Sequence, residues 1–216
     1  MATKKKITEK DIITKYMDYV LENEREPKTV YKFCKEHNIP EEDFYKFFSS
    51  IPYIKKGIWK TFFTNTTTLI SKNKEYNEFT NRDKLLTFFY TFFEMLTLNR
   101  SYVLFTLTQS GNQLKNLEQL KGLREHFKEF AKDLIKDGNE RKTSKITQRN
   151  PNIFSEGAWL QLLFLLRFWM KDESKGFEKT DLAIEKSVNT VFDLFDNTPL
   201  ENIVDFGKFL YKETFA

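Results

Sequence analysis

The chain has 216 residues and a net charge of +4, with 23 phenylalanines but only 7 glycines and 5 prolines. That length suits one domain, or a small domain fused to a larger one, with enough chain to bury a substantial core. A single cysteine, Cys34, excludes an internal disulfide, and with only His37 and His126 as histidines it argues against a zinc site, while the mild charge neither demands nor excludes nucleic acid.

Scarce helix breakers and few β-type alternations predict an all-α protein. The first helix is expected over about Ile7 to Glu24, with Thr8 and Asp11 at capping-box spacing and Ile12, Tyr16, Tyr19 and Val20 on one face. Pro27 disfavours helix at Glu26 and ends it. Thr29 can cap a second helix, "VYKFCKEH", which Asn38 can close because asparagine tolerates left-handed backbone. Pro40 then starts a third, "EEDFYKFF", and Pro52 marks the start of a fourth, running through Ile54, Ile58, Trp59, Phe62 and Phe63 towards Ile70.

Thr80 and Asp83 repeat the capping spacing before a wide apolar face of Leu85, Phe88, Phe89, Phe92, Phe93 and Leu96. A short helix, "YVLFTLTQ", restarts at Asn99 or Ser101. A longer one after Gly111 is read with Leu114, Leu117, Leu120, Leu123, Phe127, Phe130 and Leu134 in register. Residues 136 to 152 are polar, basic and aperiodic, and are expected to form a loop. An apolar helix follows around Trp159 to Met170, and Gly176 separates it from a stripe of Phe177, Thr180, Ile184, Val188, Val191 and Phe195. Thr198, Pro199 and Glu201 combine an N-cap, a proline at the first helical position and a capping acid for a last helix.

Three short helices, a linking helix and about six longer ones, together with the residues at 29 to 48, resemble the tetracycline-repressor (TetR) family. Phe33 and Cys34 stand for that family's small-apolar pair, Asn38 for its glycine and Ile39 for its valine, and "FYKFF" supplies Phe44, Tyr45, Phe47 and Phe48. The segments "DESKGFEKTDLAIEKSVNTVFDL" and "PLENIVDFGKFLYKE" resemble a subgroup from Bacteroidetes-type bacteria. The resemblance implies a DNA-reading head at 1–52 and a ligand-binding and dimerisation domain at 53–216. It implies DNA contacts from Thr29, Pro40, Glu41, Asp43, Phe44, Tyr45, Lys46, Lys55 and Lys56, and a dimer that reads paired half-sites.

The sequence departs from that family where contact is expected. Pro40 replaces a serine, Glu42 a small residue, Asp43 a threonine and Ile51 a lysine. Acids near a phosphate backbone oppose binding, whereas hydroxyls would donate to it. Glu41, Glu42 and Asp43 can instead stabilise the positive end of their helix, by typically ~0.3–1 kcal/mol each, and a carboxylate can also accept from a cytosine amine. The tail Lys4, Lys5 and Lys6 either reaches a minor groove or solvates the terminus.

Phe88, Phe92, Tyr102, Phe105, Phe127, Phe164 and Phe168 are candidates to line a site for a small apolar ligand or lipid, or to pack an ordinary core. Arg167, inside the most apolar helix, is expected to be buried and paired with Asp181 or Glu185, or to anchor an anionic head group. The glycines are isolated, so there is no phosphate loop, and Cys34 reads as core; neither a cofactor nor an enzyme is expected. The helices at 177–196 and 199–214 suit a homodimer built as a four-helix bundle.

The start "MATKKKITEKD" lacks an apolar signal region, and Ala158–Met170 is too short to span a bilayer, so a cytoplasmic protein is expected. The leading expectation is a ligand-responsive transcriptional regulator. The alternative keeps the fold as a lipid or isoprenoid carrier, or as a protein-interaction module, with DNA reading lost.

Overall fold

A computed structural model describes residues 6–111, 113–140, 150–197 and 208–209. The described residues form helices and no strand, in the order α1 (Glu9–Asn23), α2 (Val30–Glu36), α3 (Glu41–Tyr45), α4 (Ile51–Ile70), α5 (Asn81–Thr97), α6 (Arg100–Thr108), α7 (Gln113–Leu117), α8 (Lys121–Glu140), α9 (Pro151–Met170) and α10 (Glu178–Asn197). They divide into two compact units. One comprises Met1–Thr61 with Asn99–Gly122, the other Phe62–Leu98 with Leu123–Ala216.

In the first unit, local chemistry sets both ends of α1 and of α2. Thr8 closes a capping box on α1: its Oγ1 accepts from the Asp11 N–H at 3.2 Å, and its own N–H donates to Asp11 Oδ2 at 2.9 Å. Glu24 ends α1 in left-handed backbone, φ +52°. α2 ends in a Schellman turn. Asn38 sits at φ +53°, its N–H donating to Lys35 O, while the Ile39 N–H donates to Cys34 O at 2.8 Å.

The helices then close on an aromatic core. Ile12, Tyr16 and Val20 of α1 meet Phe33 of α2, Phe44 of α3, and Ile54, Ile58 and Trp59 of α4, all fully buried. Edge contacts run from Tyr16 to Phe33 at 6.1 Å and from Phe33 to Phe44 at 6.2 Å. Tyr102 of α6 lies edge-on to Tyr16 at 6.4 Å, which attaches α6 to the same unit.

The helix expected from Gly111 through Leu134 is broken. α7 gives way to a 3-10 turn at Glu118–Leu120 before α8 begins. The cause is polar. Gln119 turns inward, accepts from Trp59 Nε1 at 3.0 Å, and donates to the carbonyls of Thr106 at 3.0 Å and Asn116 at 2.8 Å. A buried amide needs all its partners, and the leucine periodicity carries no trace of that demand.

In the second unit, α5 and α8 interleave phenylalanines. Phe88 lies 5.5 Å from Phe92, 5.1 Å from Phe127 and 4.9 Å from Phe130. α10 packs on α5 and α9 through Ile184, Val188 and Phe192, and Arg82 ties α5 to α10 by pairing with Asp193 at 2.7 Å. The segment 136–152, expected as a loop, is helical at both of its described ends, and 141–149 lie outside the described residues. α8 continues to Glu140, and Asn150 caps α9, its Oδ1 accepting from the N–H groups of Asn152 and Ile153. Gly176 adopts φ +64° at the corner before α10, as expected of the separator. The cap read at Thr198, Pro199 and Glu201 lies outside the described residues.

Candidate functional site

The α2–turn–α3 segment presents a head whose inner and outer faces are sharply divided. Phe33, Cys34, Phe44 and Phe48 are buried, whereas Tyr31, Tyr45, Phe47 and Tyr53 are exposed, Tyr45 by 53%. α3 is shorter than the sequence implied: it ends at Tyr45 and passes into a turn in which the Phe48 N–H still donates to Phe44 O. The expected contact residue Phe44 is therefore corrected to a core residue, held between Phe33 and Phe48.

The three lysines of the implied contact set each have a close neighbour. Lys46 donates to Asp43 at 2.6 Å, and that hydrogen bond, with the Asp43 charge, holds the ammonium above its ordinary value. Lys55 donates to Glu26 at 2.7 Å with both side chains about three-quarters covered. Lys56 lies 5.1 Å over the Tyr53 ring. Glu41 and Glu42 are exposed at the start of α3. Thr29 caps α2, its Oγ1 accepting from the Lys32 N–H at 3.2 Å, and Pro40 stands exposed at the N-cap of α3. Of the implied contact set, Tyr45 is the large exposed side chain with a hydrogen-bonding tip, and Lys46 the neighbouring cation.

Cys34 is 1% exposed, and burial, then the Glu41 charge, push its thiol up to about 11. That suppresses the thiolate a nucleophile requires. His37 packs at 4.8 Å from Phe33 and His126 at 5.7 Å from Phe63, so both imidazoles sit among rings. Among the described residues no cluster of histidine, cysteine and carboxylate is placed to hold a metal.

The candidate ligand residues are distributed over both units. Phe88, Phe92 and Phe127 pack against one another, fully buried in the second unit. Tyr102 and Phe105 belong to the first unit, Tyr102 buried and Phe105 partly so. Phe164, Arg167 and Phe168 lie together on the outer side of α9, with Phe164 52% exposed. Arg167 is corrected from a buried to an exposed residue and makes no ion pair with Asp181 or Glu185. The reason is helical phase: Leu165, Leu166 and Trp169 take the inner face of α9 and turn Arg167 outward.

Two polar features escaped the sequence. Gln119 is one. Asp172 is the other: its carboxylate accepts from Ser174 N and Oγ at 2.8 and 2.6 Å, and from Thr180 N and Oγ1 at 2.8 and 2.7 Å. Burial alone would raise the Asp172 pKa, but these four bonds outweigh it and hold it at about 2. The hint available was an acid followed at two residues by serine and at eight by threonine, across the Gly176 corner.

The described residues define an all-α protein of two compact helical units, with a helix-turn-helix at α2–turn–α3. Residues 84–210 match the family described as tetracyclin repressor-like, C-terminal domain. The chain belongs to the TetR family. A solved chain assigned to the TetR-family transcriptional regulators, from Syntrophomonas wolfei str. Goettingen, superposes with a TM-score of 0.61 at 17% identity, covering 89% of this chain and 96% of that one. Comparison with curated proteins returns no match. No helix among the described residues is long and apolar enough to cross a membrane.

Proposed function

We propose that the protein is a cytoplasmic, ligand-responsive transcriptional regulator, not an enzyme, that binds DNA as a homodimer. Residues 1–52 form its reading head and 53–216 its ligand-binding and dimerisation part. The observation that carries this reading is the head itself. The Asn38 turn and the Phe33–Phe44–Phe48 core leave Tyr45, the last residue of α3, and Lys46, its C-cap, facing outward. There Tyr45 and Lys46, with Thr29, would bond phosphate, and a ligand held by the C-terminal part would alter the separation of paired heads. The acids at 41–43 serve the α3 terminus, and Asp43 offsets Lys46. Phosphate attraction is correspondingly weak for the family's build.

That offset charge also favours a second reading, in which the head no longer reads DNA and the fold serves as a lipid carrier or interaction module. Fluorescence anisotropy with the protein's own upstream DNA, at low and physiological salt, separates the two. Saturable binding with a steep salt slope, poorly displaced by random DNA, is the regulator's result. Tyr45→Ala should then weaken binding roughly five- to tenfold, the loss of about one phosphate hydrogen bond, with the unfolding midpoint unchanged. No binding at low salt would retire the regulator and favour the second reading.

A further inference from the structure

We infer that the outer end of α9 and the first turn of α10 form a binding recess for an amphipathic anion, an acyl or aryl carboxylate. The inference rests on the ligand-responsive part of the proposed function and gives that ligand a place and a chemical class. The recess is lined by Phe164, Arg167, Phe168 and Lys171 from α9 and its cap, by Asp172 and Glu173, and by Lys179 of α10.

Its apolar wall is the pair Phe164 and Phe168, with ring centroids 6.2 Å apart and Phe164 52% exposed. A large aromatic left half in water beside a second ring is surface that an apolar tail would cover. Its rim carries the cations Arg167, Lys171 and Lys179, all exposed and without an ion pair among the described residues. Arg167 and Lys171 also suit the negative end of α9. Lys179 has no such excuse: it stands in the first turn of α10, where the helix dipole disfavours a cation.

Two carboxylates share the recess. Asp172 directs both oxygens to donors on Ser174 and Thr180, which compensates its charge. Glu173 is exposed and remains on the rim. Three cations against one uncompensated acid leave the rim positive. A second copy of the chain is the poorer occupant, because a two-fold contact through this patch would bring like charges together. An anion with an apolar tail satisfies the cations and the rings at once.

The test is calorimetric titration of the full chain, free of DNA, with dodecanoate below its micelle concentration, beside dodecyltrimethylammonium as the same tail with the opposite charge. Saturable binding of dodecanoate and none of the cation is expected. The double variant R167Q/K179Q, which removes two of the three rim cations, should weaken dodecanoate at least about tenfold, and F164S should weaken it independently. These side chains are exposed, so the variants should keep the parent's unfolding midpoint. Equal binding of both amphiphiles, no binding, or unchanged affinity in R167Q/K179Q would overturn the inference. Because binding is read on the free protein, failure of the DNA experiment does not mask either result.

Discussion

At the scale of residues, Asp172 shows how a surface-type sequence can hide a structural acid. The carboxylate is 6% exposed and survives there because four donors from Ser174 and Thr180 meet it. Its folded pKa is depressed to about 2, against about 4 for an unfolded aspartate. The stabilisation is therefore complete above about pH 4 and is lost as pH falls through about 2, and it amounts to roughly 2–3 kcal/mol by linkage. Asp172→Ala should lower urea-measured stability near neutral pH by roughly that amount. The variant should also show a flatter acid limb between about pH 4 and 2 than the parent. An unchanged acid limb would show that the network does not contribute to folding.

At the scale of elements, much of the helix order was legible. Thr8, Thr29 and Thr80 each cap the helix they were read to cap, accepting from the N–H of Asp11, Lys32 and Asp83. Asn38 takes the left-handed turn. These are short-range effects, decided by residues within about a turn of each other. What failed were longer inferences. The run of leucines from 114 to 134 concealed Gln119, whose partners Trp59 and Thr106 lie far off in the chain.

A close approach between α4 and the end of the head was equally invisible. At Gly57 a Cβ would stand 2.6 Å from Phe48 Cε1, and that ring is itself 5% exposed. Gly57→Ala should destabilise the head by about 1–3 kcal/mol, the usual cost of overpacking a closed core. It should appear as a lower thermal midpoint, and the double variant with Phe48→Leu should recover part of the loss. A full-stability G57A would show that the Phe48 ring moves aside freely.

At the scale of the whole molecule, the dimer proposed through 177–196 and 199–214 makes a separate demand. On α10, Ile184, Val188 and Phe192 are spent inside the unit, while Leu182 is 49% exposed. The helix expected at 199–214 falls outside the described residues apart from 208–209. Light scattering should return the mass of two chains at micromolar concentration, and Leu182→Glu should shift the population towards one chain without unfolding it. A monomeric parent protein would remove the paired-head mechanism while leaving the fold intact.

The sequence by itself determined the helical class, the caps at Thr8, Thr29 and Thr80, the turn at Asn38 and the family resemblance in residues 29 to 48, because each depends on neighbours in the chain or on periodicity. Tertiary structure alone decided which phenylalanines are core and which are surface. Phe88 and Phe164 read alike as apolar residues on helices, yet one is enclosed by Phe92, Phe127 and Phe130 and the other stands half in water beside Arg167. Burial is a property of what another helix places opposite a residue, and helical period fixes only the direction in which that residue faces.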